Sequence, residues 1–312
     1  MIERFIRLRT LTGSDYSGQA LLLSYFDSFI AGRNYGWLYI TREICESYLE
    51  SIAYLAPRTQ GNRMCVVRQL CRYIALDDPR CYIPEPLRCP SSKQRYRAYI
   101  FTHEEICALL QAALKLPPAG SLRPLTYRTL LGLLYCTGIR IGEAMSLNLN
   151  DFFPDEMKLY IAKGKFRKSR WIVLRASACK ALGVYLEHRL KIEPHSPDSP
   201  LFINERHRRL CHPSVYGTYL GLLSECGIDH SKKNGPRIHD LRHTFAVHRL
   251  LAWYRDDSDV NALLPVLSTY MGHADIVSTQ IYLQPTAELK DEVSRRFHRH
   301  YINSLLGKGE LS

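Results

Sequence analysis

The chain has no uninterrupted apolar run near the roughly 18 residues that a membrane span requires. Its charged start, MIERFIRLRT, also lacks an apolar segment of signal-peptide length. The first gap excludes a membrane-spanning helix. Together they give the expectation of a cytoplasmic protein with no membrane partner. Ten cysteines are present but none forms a CxxC pair. That excludes the usual redox motif and reads as scattered, reduced, mostly buried thiols. No internal repeat and no low-complexity tract is found, which excludes a solenoid or a disordered array. Acidic charge is the scarcer sign, with 30 Asp and Glu against 42 Lys and Arg, a net charge of +12.

That surplus favours a polyanionic partner, and without a membrane segment the polyanion is read as nucleic acid. The charge is unevenly placed. Residues 1–92 carry eleven Arg, no Lys and nine acidic residues, so nearly all of the excess lies beyond them. The length of 312 residues suits two domains.

Three segments of the N-terminal third have helical apolar spacing: 16–31, 41–54 and 59–76. In the last, Met64, Val67, Leu70, Cys71 and Ile74 share one stripe, whose ordinary explanation is core packing. Residues 1–83 are expected to form a helical domain. The Pro-containing, basic stretch 84–98 reads as a linker, either a solvated tether or a strap on phosphates through Arg88, Lys93, Arg95 and Arg97.

Beyond it, Thr102 and Glu105 have capping-box spacing at the head of a helix over 102–114. LTYRTLLGLLYCTG is a strongly apolar helix ending at Gly138, and IGEAMSLNL starts a short one. Residues 157–175 alternate on both sides of a Gly-containing turn and read as a β-hairpin. Helices follow in CKALGVYLEHRLK, in SVYGTYLGLLSECG and after residue 238. The expected fold is mainly α with a small antiparallel β-sheet, a helical N-terminal domain preceding a mixed α+β domain over 99–288.

Four segments set polar residues in apolar surroundings. In YCTGIRIGEA, Arg140 fits a structural partner for helix-end carbonyls as well as a functional cation. In AKGKFRKSRW, Lys163, Lys165, Arg167, Lys168 and Arg170 form either a solvated face or a phosphate contact. In HDLRHT, His239 and Arg242 stand three apart near a helix start, where the macrodipole favours anions. A cation there is costly unless an anion is expected, so the site reads as built for a phosphate. In MGHADIVSTQIYL, His273 follows a helix-ending glycine and Tyr282 lies nine residues on; alone, each reads as an ordinary packed side chain.

Taken together, TGIRIGE (137–143), KGK (163–165), HDLRHTFA (239–246), MGH (271–273) and Tyr282 resemble, in order and spacing, the tyrosine recombinases, or phage integrase family of site-specific recombinases. The specific motifs cover roughly residues 99–290. Residues 1–92 match only in kind, as the helical core-binding domain of such proteins.

The resemblance implies that Tyr282 is the nucleophile on a DNA phosphodiester and that Arg140 and Arg242 clamp its non-bridging oxygens. Lys163 would protonate the leaving 5′ oxygen, His239 would assist proton movement, His273 would hydrogen-bond the phosphate, and Glu143 would support Arg140. It implies double-stranded DNA as partner, a tetramer on two duplexes, room for accessory recombination proteins, and no metal or other cofactor. Origin in a mobile element is expected. The alternatives are a type IB topoisomerase-like enzyme or resolvase with the same chemistry, or a non-catalytic DNA-binding accessory factor.

Three segments stand apart from the motifs. Residues 253–265, with Asp256, Asp257 and Asp259, read as an inserted solvent-facing loop or a partner contact. NERHRRLCHPS holds His207, Cys211 and His212 without regular metal-ligand spacing, so it reads as a basic DNA-contacting loop through Arg208 and Arg209. The tail, 289–312, reads as an amphipathic helix on Leu289, Val293, Phe297 and Tyr301. It would pack on its own domain or dock on a neighbouring protomer.

Overall fold

The computed structural model describes residues 1–12, 16–33, 39–87, 98–162, 169–192, 196–230, 235–273, 289, 291–296 and 298. The chain divides into two compact units, Met1–Arg95 and Tyr96–Ser312.

The first unit contains α1 (Ile2–Leu11), α2 (Ser17–Ala31), α3 (Arg42–Ser51) and α4 (Pro57–Ile74). Thr41 caps α3 by accepting from the Ile44 N–H at 3.3 Å. Pro57 opens α4, where a missing N–H costs nothing. The predicted stripe of Met64, Val67, Leu70, Cys71 and Ile74 is buried together with Leu23, Phe26 and Tyr48. The sequence reading did not find α1. It buries only Phe5, packed on Tyr16 and Tyr73, so it shows no recurrent apolar stripe.

The second unit begins with α5 (His103–Leu114) and α6 (Arg123–Thr137). The capping box is present: the Glu105 N–H reaches Thr102 Oγ1 at 3.2 Å, and the Thr102 N–H reaches Glu105 Oε2 at 2.9 Å. Helix α6 is surrounded; Tyr127, Leu130, Leu131, Leu133 and Leu134 are all buried, which explains its continuous apolar character. Next come α7 (Ile141–Ser146), a 3₁₀ turn (Leu149–Asp151), and three strands, β1 (Phe152–Phe153), β2 (Lys158–Ile161) and β3 (Arg170–Val173). They form an antiparallel sheet in the order β1-β2-β3, with Leu159 opposite Ile172 and Ile161 opposite Arg170. Leu159, Ile161 and Ile172 face the core while Trp171 lies on the outer face. The two-residue β1 is too short to carry an alternation signal.

Four helices follow: α8 (Ala176–Arg189), α9 (His212–Glu225), α10 (Asp240–Arg255) and α11 (Val260–Met271). Helices α10 and α11 share a core around Leu250, Leu251, Leu264, Leu267 and Met271. Among the described residues, no helix is long and apolar enough to cross a membrane.

Two expectations are corrected here. Residues 253–265 are not an inserted loop: α10 continues to Arg255, α11 begins at Val260, and only a four-residue turn joins them. Asp256, Asp257 and Asp259 face solvent as expected, and Asp259 also caps α11, its Oδ1 accepting the N–H groups of Asn261 and Ala262. Among the described tail residues, Leu289 and Arg296 contact their own unit. Leu289 joins the α10–α11 core, while Arg296 donates to the carbonyls of Ser258 and Asp257. Val293, expected on the buried stripe, is exposed. Phe297 and Tyr301 lie outside the described residues.

Candidate active site

Three helix ends converge at the site. The first is the C-terminus of α6, which stops at Gly138 with φ +65°. A Cβ there would run into the ring of Phe245, so glycine is required by backbone conformation and by packing alike. The turn delivers Arg140 to the residue preceding α7. Glu143, one turn on, accepts the Arg140 backbone N–H at 2.9 Å and its Nη1 at 2.8 Å.

The second end is the N-terminus of α10, preceded by His239. Asp240 is fully buried and accepts the Arg237 backbone N–H at 2.8 Å. Thr244 Oγ1 donates to the Asp240 carbonyl and accepts the Phe101 N–H, which binds the helix to the segment entering the unit. Arg242 is 2% exposed. Its Nη1 donates to the Gly138 carbonyl at 2.6 Å and its Nη2 to the Met271 carbonyl at 2.8 Å.

The third end is the C-terminus of α11. Gly272, at φ +68°, closes a Schellman motif: its N–H reaches Thr269 and the His273 N–H reaches Ser268. That closure sets the position of His273. Three consecutive carbonyls here accept from three different arginines. Tyr270 takes Arg170 Nε at 2.9 Å, Met271 takes Arg242 Nη2, and Gly272 takes Arg140 Nη2 at 2.9 Å. Last-turn carbonyls have no partner inside their own helix and carry the negative end of its dipole. They therefore gather cations.

This modifies the reading of Arg242. Its charge near a helix start is offset in this structure by the C-terminal carbonyls of two other helices. Arg140 likewise caps a helix-end carbonyl, the one next to that held by Arg242.

The electrostatics follow from the crowding. Burial alone would raise the Glu143 carboxyl, but N–H donors from Arg170 and Arg140 outweigh it and bring its pKa to about 2. The His239 ring is lowered to about 4, first by desolvation and then by the charges of His243 and Arg242. Its surface stays in reach of solvent, and with cations around it the ring is neutral at pH 7. His243 is lowered to about 4 by burial and by Arg237 and Arg242. The two rings stand edge to face at 5.2 Å.

Of the predicted site residues, the structure brings Arg140, Glu143, His239, Arg242 and His273 to these three helix ends. Lys163 and Tyr282 lie outside the described residues, as do Arg88, Lys93, Arg95, Arg97, Lys165, Arg167 and Lys168.

Two predicted DNA contacts have partners within the protein. The Arg170 side chain is 11% exposed and is turned inward onto Glu143 by a bidentate ion pair. Strand alternation carried this signal: Arg170 has the same parity as Ile172, the buried face of β3. Arg209 is anchored by donating to the carbonyls of Met145 and Leu147 and to Asn148 Oδ1. Arg208 remains exposed, on a tight loop organised by the Asn204 side chain. Asp240 and Thr244 were missed as supports, because a buried carboxylate and a buried hydroxyl look in sequence like ordinary polar helix residues.

Residues 100–288 match the phage integrase family. The chain is 37% identical to a putative integrase/recombinase, y4rB, of Sinorhizobium fredii, over 84% of this chain and 85% of that protein. It is 33% identical to tyrosine recombinase XerD of Oceanobacillus iheyensis, over 82% and 78%. Among solved structures, it matches the Tn1549 transposon integrase in complex with transposon right-end DNA with a TM-score of 0.65 at 14% identity, covering 96% of this chain and 97% of that one. It matches XerH recombinase bound to a palindromic difH substrate with a TM-score of 0.62 at 22% identity, covering 89% and 78%. With a family match across well over half its length and these relatives, the chain belongs to the phage integrase family of tyrosine recombinases.

Proposed function

We propose that this protein is a site-specific DNA recombinase that breaks and rejoins double-stranded DNA through a 3′-phosphotyrosine on Tyr282. The observation that carries the reading is the pairing of Arg140 and Arg242 on adjacent carbonyls, Gly272 and Met271, at the helix end that bears His273. Two planar, permanently charged guanidiniums at one point suit the non-bridging oxygens of a phosphodiester, whose negative charge grows in the transition state.

In the cleavage step, the Tyr282 hydroxyl oxygen forms a bond to phosphorus and the bond to the 5′ oxygen breaks. A neutral His239 is a proper acceptor for the phenol proton. Lys163 gives a proton to the departing oxygen, leaving a 5′ hydroxyl, and His273 donates to the phosphate. Rejoining runs the same steps backwards with the 5′ hydroxyl of another strand. The phosphotyrosine conserves the bond energy, so the chemistry needs no nucleotide. Exchange between two duplexes requires four cleavages, which a tetramer supplies. The resemblance to an integrase/recombinase favours a mobile element as the setting.

The test places DNA from the flanks of the encoding gene on two plasmids in cells expressing the protein. The expected result is recombinant junctions with the wild type and none with Tyr282→Phe. Equal junction formation by Tyr282→Phe would contradict the proposal. Supercoil relaxation without junctions would favour the topoisomerase-like alternative.

A further inference from the structure

Glu143 is held from two sides. Its Oε1 accepts from Arg140 Nη1 at 2.8 Å and Arg170 Nη1 at 3.1 Å. Its Oε2 accepts from the Arg140 backbone N–H at 2.9 Å and Arg170 Nη2 at 2.8 Å. The third side of the Arg170 guanidinium, Nε, donates to the Tyr270 carbonyl. Gly272 makes this possible: a Cβ on it would stand 2.8 Å from Arg170 Cζ and Nη1. Arg170 also opens β3 and pairs with Ile161, the last residue of β2, two residues before Lys163 in the chain. One guanidinium thus joins the base of the hairpin, the carboxylate that holds Arg140, and the helix end that bears His273.

We propose that Arg170 is a positioning residue of the recombinase, keeping Arg140 and the α11 terminus in register with the hairpin that leads to Lys163. The proposal rests on the catalytic reading above. A lysine cannot replace it fully, because one ammonium cannot span two carboxylate oxygens and a carbonyl in a single plane. Arg170 does not touch DNA in this account; it acts through Glu143.

The test compares wild type, R170A, R170K, E143A and the R170A/E143A double variant. The substrate is a nicked site recovered by selecting bound genomic fragments. Covalent cleavage is measured in a single turnover at saturating protein, between about pH 5 and 8. R170A is expected to cleave about 10- to 100-fold more slowly, the scale of a displaced reacting group. R170K should recover part of the rate, and DNA affinity should stay within about twofold of wild type. The double variant should be no slower than E143A, since the two residues act in one chain. With its second partner weakened, Glu143 should titrate higher, so R170K should lose rate toward acid pH where wild type does not.

The proposal is overturned if R170A and R170K cleave like wild type, if the two losses multiply in the double variant, or if the loss lies in DNA affinity. Should R170A fail to fold, R170K carries the same rate and pH comparison. A separate titration of the Glu143 carboxyl by carbon-13 NMR, without DNA, keeps the two readings apart. If wild type forms no covalent adduct, the recombinase reading fails. An unchanged Glu143 titration in R170K removes the positioning role by itself.

Discussion

Three arginines of the first unit and three at the site of the second are used differently. The first three lie over aromatic rings: Arg33 on Phe29 and Arg63 on Tyr25, both at 4.6 Å, and Arg80 on Tyr39 at 4.9 Å. Arg33 and Arg80 keep their charge at the surface, where Arg80 also pairs with Asp78 at 2.8 Å. In the second, Arg140, Arg170 and Arg242 turn inward and share the end of α11. They bind α6, α7, α10, α11 and β3 together. A stacked arginine decorates a fold that would stand without it, whereas a carbonyl-bound arginine is part of how the site is assembled.

The sharpest way to break this contrast is Arg242→Ala against Arg63→Ala. Loss of Arg242 leaves two buried carbonyls without their donor, which should lower unfolding free energy by about 2 kcal/mol or more. It should also slow DNA cleavage by about 10²–10³-fold. Loss of Arg63 should cost about 0.5–1 kcal/mol. Urea denaturation of both variants makes the comparison, and equal costs would refute it.

Next in size are the glycines on which the inward arginines depend. Gly138→Ala combines a left-handed backbone with a collision on Phe245 and should cost about 1–3 kcal/mol. Gly142→Ala, in α7 with open space at its Cβ, should change stability by less than about 1 kcal/mol, in the stabilising direction. Thermal unfolding of both separates a required glycine from a permitted one.

The cation cluster also predicts a pH dependence. His243, with its pKa about 4 in the folded protein, starts near 6.5 when unfolded. The unfolded chain therefore binds the proton first. Stability is full above about pH 6.5 and falls as pH drops toward 4, at somewhat less than about 1.4 kcal/mol per unit because part of the ring meets solvent. His243→Asn should flatten denaturation midpoints across that window. An unchanged slope would mean that the ring does not stay neutral.

The smallest effect distinguishes two neighbours on one loop. Arg209→Ala should cost about 1 kcal/mol through its lost carbonyl contacts. Arg208→Ala should leave stability within about 0.5 kcal/mol. If Arg208 meets a phosphate, its loss should reduce the salt dependence of DNA binding by about one unit of slope. The reverse assignment would place the DNA contact on Arg209 after all.

Much of this was readable beforehand where one local rule governed. The capping box at Thr102 and Glu105, the αL glycines 138 and 272, and the stripe on α4 each depend on nearby spacing. The partners of Arg170 and the anchoring of Arg209 were not readable, because only tertiary placement shows which carbonyls lie within reach. For Arg170, the parity with Ile172 was a usable signal. The cap at Asp259 was hidden for a related reason: three aspartates close together resemble an acidic loop, although one of them precedes a helix. The convergence of α6, α10 and α11 was not readable from spacing, since it joins carbonyls, which sequence does not distinguish.

The most direct measurement is covalent capture. Purified protein is mixed, without metal, with nicked DNA carrying its selected site, and the products are run on a denaturing gel. The account predicts a protein–DNA band whose linkage maps to Tyr282, strong in wild type, much weaker in Arg140→Ala and lost in Tyr282→Phe. A band of equal strength in all three, or a linkage to another residue, would contradict it.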